Sequence, residues 1–104
     1  MVNDEILTIS DRLKSVIKPK QIYLFGSFAK DTYTADSDYD FYIVVSDDVG
    51  DIITISQKAY KSLRGIRKRP VDIVVSCESS FSERKKFDTL EKNVAKEGIL
   101  LYGE

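Results

Sequence analysis

Residues 21–45 read QIYLFGSFAKDTYTADSDYDFYIVV, and this stretch decides the fold. Its two ends, Gln21–Phe25 and residues 41–45, are short runs of β-branched and aromatic residues, which are typical of strands inside a sheet. Gly26 and Ser27 end the first run, and a polar segment rich in aspartate leads into the second. Because the chain steps directly from one run to the other, we expect a wide antiparallel connection between the two strands.

Helical patterns flank these strands. Before them, apolar residues recur at helical spacing over residues 4–17, with Asn3 as a favourable N-cap and Pro19 as a stop. After them, Gly50 and Asp51 open a second helix that ends near residues 64–65. The shared apolar face of this helix consists of Ile52, Ile55, Ala59 and Leu63.

The last third of the chain continues the alternation of strand and helix. Residues 71–75 (VDIVV) predict a third strand after a basic loop. Ser80 and Glu83 have the spacing of a capping box for a third helix, with Gly98 as its C′ residue. The apolar face of that helix would be formed by Phe87, Leu90 and Val94. With a final edge strand at residues 99–102, the order of elements predicts the α/β (α+β) class, a small mixed β-sheet flanked by helices.

The composition limits the chemistry that the protein can perform. A chain of 104 residues has room for one hydrophobic core, so we expect a single domain over residues 1–104. The absence of histidine excludes a Ser-His-Asp triad and a histidine zinc site, and Cys77 has no second cysteine to pair with. Catalysis would therefore rest on carboxylates, hydroxyl groups and metal ions.

Charge and apolar runs indicate the surroundings of the protein. The formal net charge of −1 provides no bulk basic surface, so nucleic acid is not an expected partner. The apolar runs are too short to cross a bilayer and the first residues lack a signal-peptide pattern, which favours a cytoplasmic location without membrane contact. For the basic loop at residues 64–69, the sequence leaves open whether it binds a phosphate tail, an acidic partner or RNA, or is simply solvated.

Three aspartates mark a candidate metal site. Asp38 and Asp40 stand two residues apart at the start of a buried strand, so both carboxylates lie on one face. Two anions there need a compensating cation, and oxygen ligands select Mg²⁺ or Mn²⁺. Asp72 interrupts an apolar run and is the third candidate ligand, unless it is an edge-strand charge that discourages aggregation. Together the three could form a two-metal site that positions a nucleophile and a triphosphate.

The turn after the first strand is a candidate phosphate-binding segment. Gly26 lets the backbone approach a ligand closely, and the residues that follow can present amide N–H groups and the Ser27 hydroxyl. The chain contains no G-x-x-x-x-G-K-[ST] sequence, so a Walker-type phosphate site has no support.

The string GSFAKDTYTADSDYDFYIVV, followed later by VDIVV, resembles the nucleotidyltransferase superfamily that includes DNA polymerase β. The similarity is greatest to its minimal nucleotidyltransferase (MNT) branch of small stand-alone domains. It covers residues 21–75 by motif, and the C-terminal EGILLY is also typical of that branch. The resemblance implies transfer of a nucleoside monophosphate from ATP or another nucleoside triphosphate to a hydroxyl, with Mg²⁺ or Mn²⁺ and release of pyrophosphate.

The same resemblance implies roles for individual residues. The nucleotide-binding residues would be Gly26, Ser27, Lys30 and Ser37. The catalytic and metal-binding residues would be Asp38, Asp40 and Asp72. Among these, Asp72 would help to activate the acceptor hydroxyl. Where many members read Ala-Arg-Gly, this chain has Ala29-Lys30-Asp31, which keeps a positive charge but adds an anion near the phosphates.

The resemblance also implies a partner. Members of this branch are commonly paired with a helical HEPN-type protein as antitoxin and toxin, and the acceptor would then be a hydroxyl, such as a tyrosine, on that protein. One alternative is a non-catalytic module that neutralises its partner by binding it. Another is an aminoglycoside-type nucleotidyltransferase that works as a homodimer. The acidic cleft of that enzyme would have to come from Asp47, Asp48 and Asp51.

Overall fold

The computed structural model describes residues 2–103, so the two terminal residues of the predicted domain lie outside it. In this range the elements follow as α1 (Asp4–Ile17), β1 (Gln21–Phe25), α2 (Ser27–Lys30), β2 (Tyr39–Val45), α3 (Ile52–Ser62), β3 (Val71–Cys77), α4 (Glu78–Arg84), α5 (Leu90–Glu97) and β4 (Ile99–Tyr102). All four predicted strands are present. The second begins two residues earlier than predicted and the third ends two residues later.

The strands form one mixed sheet in the order β3-β2-β1-β4. β1 is antiparallel to β2 and to β4, whereas β2 is parallel to β3. The predicted antiparallel connection and the predicted mixed sheet are therefore confirmed. These directions bring the end of β1 and the beginnings of β2 and β3 to the same end of the sheet. There Phe25 pairs with Asp40, and Asp40 pairs with Asp72.

The central strand β2 contributes to hydrophobic clusters on both faces of the sheet. Phe41 and Ile43 belong to a core formed with α1 and α3, and Tyr42 and Val44 to a smaller cluster formed with α4 and α5. Successive side chains of a strand point to opposite faces, which explains the alternation. No helix among residues 2–103 is both long and apolar enough to span a membrane.

The first two predicted helices are present, although the second ends at Ser62 and not near residues 64–65. The side chain of Asn3 accepts a 2.8 Å hydrogen bond from the Ile6 N–H, and α1 covers the predicted residues 4–17. The Asp51 side chain accepts a 3.1 Å hydrogen bond from the Ile53 N–H at the start of α3. These side-chain acceptors satisfy N–H groups that have no partner inside the helix.

The prediction of one long third helix starting at Ser80 was wrong. The chain forms α4 immediately after β3 and then, after residues 85–89, a separate α5 whose N-cap is Thr89. Its hydroxyl donates to the Arg84 carbonyl at 2.8 Å, and its oxygen accepts from the Lys92 N–H at 3.3 Å. Of the predicted apolar face, Val94 is buried, whereas Phe87 is 59% exposed; Leu90, the third member, is 40% exposed.

Gly98 follows α5 as predicted, but with an extended backbone rather than the left-handed one expected of a C′ glycine. A β-carbon at Gly98 would overlap the carbonyl oxygen of Val94 and crowd that of Leu24. Glycine is therefore required here for close packing between α5 and β1.

The short helix α2 was not predicted. Its C-cap is Asp31, which adopts a left-handed backbone with φ of 60° and donates its N–H to the Ser27 carbonyl. Aspartate tolerates this conformation better than most residues, and glycine adopts it freely. The left-handed backbone at Asp31 would therefore also fit glycine, the residue that many members of the resembled superfamily carry at this position.

A buried carboxylate joins α5 to the sheet. Glu91 is 6% exposed, accepts a 2.8 Å hydrogen bond from the Tyr42 hydroxyl and a 2.9 Å hydrogen bond from Nε of Arg84. Although burial opposes ionisation, these two hydrogen bonds hold the pKa of Glu91 below its ordinary value. The cluster orients α4 and α5 on the face of the sheet that carries Asp40.

Candidate active site

The structure brings the three predicted carboxylates together where β2 and β3 begin. Asp40 pairs directly with Asp72 on the parallel neighbour, and Asp38 precedes Asp40 by two residues. Asp38 and Asp40 are half-buried, whereas Asp72 is exposed. Burial, and then the charges of Asp72 and Asp38, raise the pKa of Asp40 to about 6. The three side chains therefore form one electrostatically coupled cluster.

This donor set fits a hard divalent cation. Crowded carboxylates are stabilised by a positive charge, and their oxygens are ligands that Mg²⁺ prefers. Among residues 2–103, no three acidic or cysteine side chains are close enough to act together as direct ligands of one ion. Mg²⁺ is usually held by one or two carboxylates, with water and substrate phosphates as the other ligands. Two of the aspartates would therefore hold the ion together with a bound triphosphate.

The backbone of Gly26 lies directly against the Asp40 carboxylate. Its φ of 74° and ψ of −153° belong to a region that is essentially restricted to glycine. A β-carbon at this position would overlap Oδ2 of Asp40. Ser27 follows as the first residue of α2, and the first N–H groups of a helix have no partner within it. A phosphate bound at this turn would therefore lie next to the carboxylate cluster.

Lys30 and Ser37, the other two predicted nucleotide-binding residues, already have partners. Nζ of Lys30 lies 3.3 Å from Oε2 of Glu97, beside a hollow of about 180 Å³ between α2 and α5. Oγ of Ser37 accepts a 2.8 Å hydrogen bond from the Thr34 N–H and so stabilises the turn before the first aspartate. The Lys30 charge thus lies at one side of the phosphate turn, whereas the Ser37 hydroxyl shapes the loop.

The residues proposed for an aminoglycoside cleft do not line this site. Asp47, Asp48 and Asp51 all follow the end of β2, whereas Asp40 lies at its beginning. There the Asp47 carboxylate accepts a 2.9 Å hydrogen bond from the Ser79 N–H, and Asp51 caps α3. Both carboxylates therefore stabilise the opposite end of the sheet.

Arg69 was not predicted as a site residue, yet it holds the loop that carries the aspartates. Its Nη1 donates to three backbone carbonyls within residues 34–37, the shortest hydrogen bond being 2.7 Å to Ser37. Its guanidinium lies 5.0 Å from the ring centre of Phe28 and 5.4 Å from that of Tyr39. One side chain thus links α2, the loop and the start of β2. The available signal was a basic residue just before the strand that carries Asp72.

Arg69→Lys is expected to lower the free energy of unfolding by about 1–2 kcal/mol, because lysine keeps the charge but loses the planar fork. Affinity for ATP with Mg²⁺ should fall severalfold in parallel, since the loop carries Asp38. Thermal melts and calorimetry check both effects. Arg67→Lys is the control, because Arg67 makes no comparable hydrogen bonds in the described range. Equal melting temperatures for Arg69→Lys and the unmodified protein would show that this linkage contributes nothing.

A glycine turn that touches one of two closely spaced aspartates, with a third aspartate on the adjacent strand, is suited to transferring a nucleotide. The family model described as Nucleotidyltransferase domain matches residues 5–101. The chain belongs to this family and is a nucleotidyltransferase.

Individual relatives agree with this assignment. "Putative protein adenylyltransferase MJ0604" of Methanocaldococcus jannaschii is 31% identical over 83 residues, which make up 80% of this chain and 78% of that protein. A crystal structure described as a toxin-antitoxin with AMP-PNP has a TM-score of 0.68 at 27% identity, covering 98% of this chain and 75% of the other. A mutant of the toxin-antitoxin MntA-HpeT has a TM-score of 0.66 at 28% identity, covering 100% and 75%. The resemblance to the MNT branch is thereby confirmed.

Proposed function

We propose that this protein transfers AMP from ATP to a hydroxyl of a partner protein, with Mg²⁺ or Mn²⁺, as the cytoplasmic MNT antitoxin of a HEPN/MNT pair. The observation that carries the proposal is the contact of the Gly26 backbone with the Asp40 carboxylate, beside Asp72. A triphosphate at Gly26 and an acceptor at Asp72 would thereby be adjacent. Support for a protein acceptor comes from the relative named as a protein adenylyltransferase, and support for a toxin partner from the toxin-antitoxin neighbours.

In the proposed reaction, the acceptor hydroxyl oxygen forms a bond to the α-phosphorus of ATP. The bond from that phosphorus to the oxygen bridging to the β-phosphate breaks, and pyrophosphate leaves with the electron pair. The hydroxyl proton passes to Asp72, the exposed carboxylate that an incoming acceptor can reach. Gly26 and Ser27 would hold the triphosphate through backbone N–H groups and a hydroxyl.

The negative charge of the triphosphate would be offset by a divalent ion and by Lys30. Asp38 and Asp40 would hold the divalent ion together with phosphate oxygens. When bound, the ion offsets the negative charge of carboxylates and phosphates and so favours attack on phosphorus. Lys30 would add a positive charge at the turn, where a phosphate would compete with Glu97 for it.

The proposal is tested with ATP labelled in the α-phosphate and a HEPN-type protein from the same genome. We expect Mg²⁺-dependent appearance of the label on a tyrosine of that protein, with release of unlabelled pyrophosphate. ATP labelled in the γ-phosphate is the control and should leave no label on protein. Calorimetric binding of ATP without any transfer would instead support the non-catalytic partner-binding module.

Ser27→Ala is expected to weaken ATP binding roughly 5- to 30-fold, the effect of losing one hydrogen bond to a charged group. Calorimetric titration in the presence of Mg²⁺ measures the change. Ser82→Ala, on the exposed surface of α4, is the matched control and should bind ATP as the unmodified protein does. An unchanged affinity in Ser27→Ala would remove this hydroxyl from the phosphate site.

A further inference from the structure

We propose that the acceptor modified by this protein carries an acidic segment, and that this segment binds a basic hollow beside β3. The basic hollow has a volume of about 390 Å³. Its lining consists of Gln57, Tyr60, Lys61, Arg64 and Arg67. The inference rests on the proposed function, because it names the class of polypeptide that the transferase would modify.

The cations of the basic hollow lack acidic partners in the described part of the chain. Lys61, Arg64 and Arg67 are exposed, no acidic residue lines the hollow, and the ion pairs found within residues 2–103 involve other side chains. Like charges at such short spacing repel one another. A bound anion would relieve this repulsion and form ion pairs of its own. Since the formal net charge is −1, this concentration of positive charge is local.

Tyr60 fixes the basic hollow at the outer edge of β3, the strand that carries Asp72. The Tyr60 hydroxyl accepts a 2.9 Å hydrogen bond from the Ile73 N–H and lies 3.4 Å from the Ile73 carbonyl oxygen. Ile73 directly follows Asp72, and β3 is an edge strand of the sheet. The wall of the hollow therefore contacts the outer edge of β3 at the residue after Asp72. Because successive side chains of a strand point to opposite faces, the hollow lies on the α3 face and the Asp72 carboxylate on the other.

The basic surface also continues to the start of β2. A second hollow, of about 400 Å³, shares Arg64 and Arg67 with the basic hollow and extends to Pro70. The Pro70 carbonyl accepts a 3.0 Å hydrogen bond from the N–H of Tyr39, which stands between the first two aspartates in sequence. An acidic segment along this surface would lead towards the carboxylate cluster.

The position of the basic hollow assigns it to the acceptor and not to the nucleotide phosphates. Gly26 follows β1, and β2 separates β1 from β3. Adjacent strands are about 4.8 Å apart, so the outer edge of β3 is roughly 10 Å from the phosphate turn. A ligand in the hollow lies on the α3 face, at the edge of the sheet nearest to Asp72, and a chain that continues around this edge reaches the face of the carboxylate cluster.

Side-chain carboxylates suit the basic hollow better than a nucleic acid does. The three cations of the basic hollow match a short acidic run, whereas a nucleic acid single strand is bound with aromatic rings on which its bases stack. The aromatic residue of the hollow, Tyr60, is tied to β3 through its hydroxyl. The same hydrogen bond occupies the outer edge at Ile73, so a partner cannot add a strand there and must be recognised through side chains.

The experiment compares two fluorescent peptides that contain one tyrosine followed by three glutamates or by three glutamines. Anisotropy at low ionic strength should show about tenfold tighter binding of the glutamate peptide, the combined effect of several exposed ion pairs. Arg64→Glu/Arg67→Glu should abolish this preference. Lys18→Glu/Lys20→Glu is the control, because it changes the net charge by the same amount just before β1, at the end of that strand away from Gly26. This variant should still prefer the glutamate peptide.

Equal binding of the two peptides by the unmodified protein, or equal loss of preference in both double variants, would overturn the inference. Tighter binding of an oligouridylate than of the glutamate peptide would overturn it in favour of RNA. AMP transfer to both peptides is measured in parallel. Tighter binding of the glutamate peptide without AMP transfer would support the role of the basic hollow and contradict the proposed function. AMP transfer to both peptides without a preference for glutamate would support the proposed function and contradict the role of the hollow.

Discussion

Asparagine in place of Asp40 is expected to reduce AMP transfer about a thousandfold, as several kcal/mol of charge stabilisation in the transition state are lost. Asp40 is the carboxylate that contacts the glycine turn and pairs with Asp72 in the sheet, so its charge would lie between the proposed positions of the triphosphate and the acceptor. Initial rates of pyrophosphate release at saturating ATP and Mg²⁺ measure the effect. Asp36→Asn, in the same loop but outside the cluster, is the matched control. Unreduced turnover in Asp40→Asn would refute the metal assignment.

The same substitution is expected to stabilise the metal-free protein. Because the folded state raises the pKa of Asp40 to about 6, it binds a proton more tightly than the unfolded state does. This contribution to stability is therefore present at low pH and is lost as the pH rises through 6. The uncharged amide of Asp40→Asn does not ionise, so the variant avoids this loss. Its free energy of unfolding at neutral pH should exceed that of the unmodified protein by about 1 kcal/mol, after allowance for solvent screening of a half-buried group. Melting temperatures at pH 5 and 7.5 test this, and a variant less stable than the original at pH 7.5 would contradict it.

Gly26→Ala is expected to lower the free energy of unfolding by about 3 kcal/mol or more and to abolish ATP binding. The backbone conformation alone costs an alanine about 1–3 kcal/mol. The new β-carbon would in addition displace the Asp40 carboxylate, which it would otherwise overlap. Denaturant unfolding and calorimetric titration with ATP and Mg²⁺ measure the two losses.

Gly50→Ala separates the two causes. Gly50 also has a positive φ, of 89°, but a β-carbon there would meet no atom within 4 Å. This variant therefore carries the conformational cost without the close contact, and it should bind ATP normally. If Gly26→Ala and Gly50→Ala were equally stable and bound ATP equally well, the contact between the turn and Asp40 would contribute neither to stability nor to ATP binding.

The elements that the sequence predicts well are those whose pattern is local. Helix α1 is defined by apolar residues at helical spacing after an N-cap, and strands β1 and β4 are each defined by a short apolar run that ends at a glycine. Helix α2 has four residues, which is too few to display a helical period. The division between α4 and α5 involves hydrogen bonds of the Thr89 side chain. The sequence instead suggests a helix start at Ser80, because Ser80 and Glu83 have the spacing of a capping box.

The site shows the same limit. Asp38, Asp40 and Asp72 could be predicted because a carboxylate beside or inside an apolar run is conspicuous. The role of Arg69 could not be predicted, because its acceptors are backbone carbonyls more than thirty positions earlier and it stands in a loop with other basic residues. The role of Glu91 as the buried partner of Tyr42 could not be predicted either, because Glu91 is one of several charged residues in the sequence of α5.

The candidate site takes its groups from three adjacent strands, so it exists only in the folded chain. A nucleotide that binds there would therefore stabilise the native state by mass action, by about 2.7 kcal/mol at a concentration one hundred times the dissociation constant. The lifetime of the protein in a cell would then follow the nucleotide supply. A fall in ATP would increase the unfolded fraction and expose more of it to proteases, so the abundance of the protein would reflect the energy state of its host.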